Sequence, residues 1–416
     1  MPSLQDLLAS IDAKRNEMVE ALSEIIRIPA IGPESGGEGE FERARFIKDM
    51  LENCGFDEVD MYDALDERVK LRLRPNIVAK KKGRSARTVW FVSHMDTVPP
   101  GDLAAWTYPP FSPRLIEGKL YGLGSEDNGQ SLVASISAVK AVNDLKLAPD
   151  LSIGLALVAD EEVGSEKGIK FLLEQGVFQK DDIVYVPDYG NANGTFIEVA
   201  EKHIMWLKVR VLGRQTHAST PDKGINAMKV GSELITFIVD YMESKYGVKN
   251  ALFDPPTSTY EPTKRLQTVG NVNTVPGEDI FFLDFRILPQ YSPDDVMETL
   301  RWIGDLFEDK TGVKITFETV QLTKSGKPSS LDSEAYKALS MAIEHVKNVE
   351  PKAGGIGGGT CANFFRLAGI DAYCWESCDD MCHTANEYCV VENLVSDAKV
   401  YAVILANLCH KSDFNL

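Results

Sequence analysis

The sequence predicts an α/β fold, a mixed and mostly parallel sheet flanked by helices, with a second domain inserted into it. Three observations predict this. Apolar runs at 89–92, 151–159 and 183–186 are continuous rather than alternating, as in strands buried on both faces. Helical spacing of apolar residues fills the stretches between them. From about 203 the pattern changes: Met205, Leu207, Val209 and Val211 alternate with Trp206, Lys208 and Arg210, as in a half-exposed antiparallel strand. The expected boundaries are 1–202 for the first part of the main domain, 203–322 for the insertion and 323–416 for the second part.

Composition narrows the function classes. A chain of 416 residues, 44% hydrophobic and 25% charged, suits two or three globular domains. A net charge of −18 and a pI near 4.9 argue against binding nucleic acid or an anionic membrane. No apolar run approaches the roughly 20 residues that span a bilayer, and Met1-Pro2-Ser3-Leu4-Gln5-Asp6 carries no targeting pattern. A soluble cytoplasmic protein is expected. Seven cysteines without paired zinc-finger spacing do not make a disulfide framework. Cys374, Cys378, Cys382 and Cys389 cluster, but read better as small buried residues than as a thiolate metal site.

The elements follow in order. Leu4, Leu7, Leu8, Ile11, Met18, Leu22, Ile25 and Ile26 predict one helix over 3–28, with a Ser3/Asp6 capping box and Pro29 as its stop. A loop at 32–40 precedes a helix over 41–54. Strands at 76–80 and 89–92 flank Lys80-Lys81-Lys82-Gly83-Arg84, which reads as a solvated hairpin tip. A Pro- and Trp-rich loop at 98–113 and a Gly-rich turn lead to a helix over 130–145. Further helices are expected at 166–175, 225–244, 293–309, 333–347, 361–368 and 392–409, and strands at 204–211, 266–273, 280–288 and 314–321. The inserted region then reads β-α-β-β-α-β, a split-βαβ arrangement. Gly354–Thr360 reads as a glycine-rich loop, a weak signal for an anion cradle at a helix start.

Chemistry-bearing residues stand at the ends of the buried strands, where ligands sit in open α/β sheets. The run 89–92 delivers His94 and, on the same side of an extended chain, Asp96. Asp96 there takes the proton of one ring nitrogen and leaves the other for a metal. The run 151–159 delivers Asp160-Glu161-Glu162, whose mutual repulsion calls for a nearby positive group. The third run delivers Asp188, and His383 lies in a polar loop at 379–387. Asp127, in the Gly-rich turn, taken alone reads as a helix N-cap. Imidazoles and carboxylates together suit zinc, and also cobalt or manganese. Two such ions sharing one carboxylate lie about 3.5–4 Å apart in hydrolytic enzymes. Of the paired glutamates, one binds metal and the other is free to take a proton from water.

The motifs Ser93-His94-Met95-Asp96, Gly124-Ser125-Glu126-Asp127-Asn128-Gly129, Asp160-Glu161-Glu162-Val163-Gly164-Ser165, Pro187-Asp188-Tyr189-Gly190, His217-Ala218-Ser219, Asp284-Phe285-Arg286 and His383-Thr384-Ala385-Asn386-Glu387 occur in this order along nearly the whole chain. In these motifs and their spacing the sequence resembles the M20 metallopeptidases and deacylases, the group of glutamate carboxypeptidase, aminoacylase, acetylornithine deacetylase and succinyl-diaminopimelate desuccinylase. The resemblance implies a zinc-exopeptidase-like catalytic domain with a ferredoxin-like insertion that makes a homodimer. It implies His94 and Asp188 on one metal, Glu162 and His383 on the other, and Asp127 bridging, with a cis peptide after it. Glu161 becomes the general base for a hydroxide shared by the ions, and Asp96 the partner of His94. His217 reaches across the dimer to the oxyanion, and Arg286 clasps a substrate carboxylate with help from Asn273, Gly358, Gly359 and Thr360.

The implied reaction is hydrolysis of an amide next to a free carboxylate, in an N-acyl amino acid or a short peptide. Two departures touch the substrate pocket. Asp127-Asn128-Gly129-Gln130 stands where many relatives have Asp-x-Lys-Gly, and Gly359-Thr360-Cys361 where many have Gly-Thr-Asp. An M20-fold protein that binds a metal or ligand without catalysis is the alternative. It would lack a ligand or the base, and this chain has all five ligands and Glu161. A thiolate redox protein would need paired Cys motifs that the sequence lacks.

Overall fold

The structure, a computed structural model, describes residues 3–411, 413 and 414. The chain divides into two compact units. The first takes the chain up to Val199, Pro328–Gly354 and the chain from Thr360 onward; the second takes Ala200–Lys327 with Gly355–Gly359.

The first unit is built on a six-stranded sheet in the order Glu58–Leu65, Leu73–Lys81, Leu151–Val158, Ser85–His94, Ile183–Tyr185, Ala372–Tyr373. The first two junctions are antiparallel and the other three parallel. Parallel neighbours need a long crossover, and Ser131–Asn143 and Ile169–Glu174 provide two of them. Val89, Trp90, Phe91 and Val92 are at most 1% exposed, which is why their run shows no alternation. Trp90 lies opposite Gly154 across the parallel pair, and a Cβ there would come within 2.2 Å of the indole, so the large ring fits only over glycine. Ser131–Asn143 packs on Val391–Cys409, and both helices are apolar nearly all round because both are buried in a helical layer.

Register decides where the site lies. His94 is paired with Val158, and Phe91 with Tyr185. The chain therefore leaves these three parallel strands at one edge, and His94, Glu161 and Asp188 emerge there within a few residues of the strand ends.

The second unit is a four-stranded antiparallel sheet in the order Thr259–Leu266, Glu278–Ile287, His203–Leu212, Lys314–Thr323. Helices Ala227–Lys245 and Pro293–Thr311 supply Leu234, Ile238, Leu300, Ile303 and Phe307 to a core shared with Leu207, Val209, Phe281, Leu283 and Phe285 of the strands. Asn226 and Ser292 cap the helix starts with their side chains, and Gly312 in the left-handed region ends the second helix.

Four expectations are corrected. The first helix is two, Leu4–Ala13 and Arg15–Arg27, broken at Lys14, although the Ser3/Asp6 capping box is present. Lys80–Arg84 is not a hairpin tip, because Leu151–Val158 lies between the strands on either side of it; the amide of Gly83 donates to Ser152 Oγ (3.0 Å) and that of Arg84 to the Pro149 carbonyl (2.9 Å). The strand expected at 266–273 is Thr259–Leu266; six of its eight residues are exposed, so it carries no alternation, and its register slips between Pro262 and Lys264. Residues 354–356 of the glycine-rich stretch belong to the strand Lys352–Ile356, and the loop begins after Ile356. The sequence reading also missed the edge strand Glu58–Leu65, which buries a single residue, Ala64. Among the described residues no helix is long and apolar enough to cross a membrane.

Candidate metal centre

His94 ends its strand fully buried. Its Nε2 lies 2.8 Å from Asp127 Oδ1 and 3.3 Å from Asp188 Oδ1. Its Nδ1 lies 3.0 Å from the carbonyl oxygen of Asp96 and 3.5 Å from Asp96 Oδ1. The expected pairing of His94 with the Asp96 carboxylate is thus taken mainly by the carbonyl. The carboxylate accepts the amides of Glu161 (3.0 Å) and Glu162 (3.1 Å), holding the turn that carries the two glutamates.

That turn begins at Asp160, whose φ of 64° lies in the left-handed region, a cost that surrounding contacts must outweigh. The positive group sought for the acidic triplet is Arg74. It is fully buried, bidentate to Glu40, and 3.2 Å from Asp160 Oδ1. Asp160 also accepts the Lys167 amide through Oδ2 (2.9 Å).

Asp127 sits in the wide turn Ser125–Gln130, with non-helical dihedral angles at Asp127 and Asn128 and a cis peptide bond between them. It is not the N-cap of the following helix; Gln130 occupies that position. Its two oxygens point apart. Oδ1 faces His94 and Oδ2 lies 3.2 Å from Nε2 of His383, which is also 3.0 Å from Glu162 Oε2. His383 has a left-handed φ of 58° and a half-exposed ring. Two groups result, His94/Asp127/Asp188 and Asp127/Glu162/His383, each with one ligand atom per residue within 4.8 Å of the others.

The electrostatics follow from crowding acids in a buried place. Burial and the charge of Asp188 push Glu161 well above the usual carboxylate range. Burial and the charge of Asp127 raise Glu162 to about 7. Burial opposes ionisation of Asp127 as well, but hydrogen bonds from His383 and His94 outweigh it and hold Asp127 well below that range. Hydrogen bonds to Asp127 and Glu162 raise His383 to about 10. Divalent cations binding between these groups would displace their protons. A donor set of imidazole nitrogen and carboxylate oxygen, with Asp127 turned to both sides, fits two such cations.

Sequence reasoning missed supporting residues. Asn128 donates through Nδ2 to Asp188 Oδ1 (2.9 Å) and to the Pro187 carbonyl (2.6 Å), orienting a ligand carboxylate. Glu126 and Glu387 accept backbone amides in the loops that carry the candidate ligands His383 and Asp127. Their neighbourhood to Asp127 and His383 was the sole signal in the sequence.

The remaining expected residues, Thr360 apart, lie in the second unit. His217 is exposed in the short strand Thr216–His217, which pairs with Thr274–Val275. Its Nδ1 accepts the Ser219 amide (3.2 Å), so a neutral ring carries its proton on Nε2. Arg286 donates through Nε and Nη2 to Asp284 (2.7 and 3.0 Å) and through Nη1 to the Gly357 carbonyl (2.8 Å). Asn273 is exposed, and its carbonyl accepts the Ala218 amide (2.9 Å). Gly358 and Gly359 are exposed. Thr360 is buried in the first unit, its hydroxyl accepting from Ala362 (3.1 Å) as a helix cap.

Residues 90–407 match the model of peptidase family M20/M25/M40. An uncharacterized metallohydrolase of Methanococcus maripaludis is 36% identical over 94% of this chain and 99% of its own. A succinyl-diaminopimelate desuccinylase of Methylococcus capsulatus is 27% identical over 79% of this chain and 85% of its own. The crystal structure of human carnosine dipeptidase 1 shares the fold, with a TM-score of 0.74 at 19% identity over 98% of this chain and 99% of that one. The family match runs from the strand that delivers His94 to the helix after His383, and the chain belongs to peptidase family M20/M25/M40.

Proposed function

We propose that this protein is a two-metal hydrolase that cleaves an amide next to a free carboxylate, in an N-acyl amino acid or a short peptide. The observation that carries the reading is Asp127, whose two oxygens face the two imidazoles of separate ligand groups. His94 and Asp188 would hold one ion, Glu162 and His383 the other, and Asp127 both. Two divalent ions, zinc first and cobalt or manganese as alternatives, would supply positive charge that acidifies water and polarises a carbonyl. Glu161 takes the proton of the attacking water. Its surroundings, burial and the charge of Asp188 above all, raise its proton affinity, and Glu162 faces His383 instead. The Nε2–H of His217 donates to the developing oxyanion. Arg286 binds the substrate carboxylate with the two N–H groups that Asp284 and Gly357 leave over. Asn273 and the 358–360 loop complete that pocket.

The desuccinylase among the relatives supports an acylated amino acid as substrate. Residues 203–322 serve as the lid and make a homodimer. Seven cysteines, six of them buried and none in a disulfide among the described residues, support a reducing, cytoplasmic setting. The test is a release assay on N-acetyl amino acids, N-succinyl amino acids and dipeptides before and after exhaustive chelation. Chelation should abolish hydrolysis, and zinc, cobalt or manganese should restore it. Full activity in metal-free protein would end the reading.

A further inference from the structure

The loops that carry Asp127 and His383 hold each other through two buried carboxylates. Glu387, 1% exposed, accepts the backbone amides of Gly124 (2.8 Å), Glu126 (2.9 Å) and Asp127 (3.0 Å). Glu126, 2% exposed, accepts the amides of Asp379 (2.7 Å) and Met381 (2.5 Å). Each loop thus offers its carboxylate to the backbone of the other. Glu126 immediately precedes the shared ligand, and Glu387 follows His383 by four residues. Neither loop holds its shape by local preference: one has non-helical dihedral angles at Asp127 and Asn128, the other a left-handed histidine at His383. Buried carboxylates are costly unless strong donors meet them, and amides directed at a charged acceptor are such donors.

From this exchange we infer that Glu126 and Glu387 are reciprocal positioning residues. They join the two loops into one unit, and so set the spacing of Asp127 and His383 in the second cation site. The inference rests on the two-metal reading above. The two residues differ in reach. Glu126 acts on the His383 loop alone, whereas Glu387 fixes the backbone of Asp127, which serves both ligand groups.

The test titrates metal-free full-length protein with Co²⁺, following the visible absorption of each site and the bound stoichiometry. Glu126→Gln leaves one amide facing an NH₂ group. It should weaken the second site by about 10–100-fold, the usual effect of removing an outer partner of a ligand, and spare the first. Glu126→Asp, which keeps both acceptor oxygens, should retain more affinity than Glu126→Gln. Glu387→Gln should weaken both sites. The double substitution should weaken the second site by less than the product of the single effects, because either change already releases the loop pair. A purely structural role would lower the unfolding temperature without separating the two affinities, and that result overturns the inference. So does a Glu126→Gln protein that binds two ions as tightly as wild type. If wild type itself fails to bind two ions, the two-metal reading falls first. Should Glu126→Gln not fold, hydrogen exchange on folded, metal-free wild type decides: the amides of Asp379 and Met381 should be protected, and exchange at open-loop rates would overturn the inference.

Discussion

At the scale of the residue, the two glutamates of the 160–162 turn separate by partner. Glu162 has His383 at 3.0 Å, while Glu161 is half-buried where Asp188 and Glu162 both raise its proton affinity. Their amides share one acceptor, the Asp96 carboxylate, so the turn presents both side chains from a fixed backbone. Glu161→Gln should therefore keep its metal content and lose about 10²–10⁴-fold in turnover, the usual scale for a proton-transfer group. Metal analysis beside single-turnover kinetics checks this. If Glu162→Gln keeps the metal and Glu161→Gln loses it, the roles are exchanged. Of the proposed ligands, His94, Glu162 and Asp188 were legible because they follow apolar runs and His383 because it sits in a polar loop, whereas Asp127 taken alone reads as a helix N-cap and took its bridging role from the resemblance. Asn128, Glu126 and Glu387 were not legible. No periodicity marks a side chain whose partner is a backbone group far along the chain, and a carboxylate beside a ligand looks the same whether it is solvated or buried. Asp96 was legible as a neighbour of His94, but its main hydrogen bonds go to a turn that sequence spacing cannot bring near.

At the scale of the element, strands were readable where an apolar run was continuous or alternated strictly, although the largely buried Phe196–Glu201 was missed. Of the edge strands, Lys314–Thr323 was expected, whereas Glu58–Leu65 was missed and Thr259–Leu266 misplaced, both being largely exposed. Strand order was harder still. A basic turn between two apolar runs looks like a hairpin, and only the pairing of Leu151–Val158 with both neighbours shows otherwise. Strand alternation does place one functional question. Asp284 and Arg286 share the face of Glu278–Ile287 opposite the buried Phe281, Leu283, Phe285 and Ile287. Their bidentate pairing occupies part of the guanidinium and orients the rest. Lysine, a point charge on a flexible stem, cannot keep that pairing and present two parallel N–H groups as well. Arg286→Lys should raise KM by about 10–100-fold for substrates with a free carboxylate, the worth of a hydrogen bond to a charged group. Their C-terminal amides should change little. An equal loss on both kinds of substrate would assign Arg286 to the ion pair with Asp284 alone.

At the scale of the whole molecule, one change of pattern near 203 announces the second unit, because a sheet with helices on one face must alternate where a sheet covered on both faces need not. The first unit by itself holds every proposed metal ligand and Glu161, while the proposed oxyanion donor, His217, belongs to the second. His217 is exposed, and its Nδ1 is engaged by the Ser219 amide, which leaves Nε2–H pointing to no partner within its own loop. If the second unit of one copy serves the first unit of another, a monomer has almost no activity, and losing the donor costs about 10²–10³-fold in turnover. Subunit exchange tests this directly. His217→Ala and Glu161→Ala homodimers are each crippled at both sites. In the mixed dimer, one site keeps its own Glu161 and receives an intact His217, and the other lacks both. Activity should return on mixing, each mixed dimer reaching up to about half that of a wild-type dimer. Exchange confirmed by mass-labelled subunits, with no return of activity, would place His217 outside the partner's site.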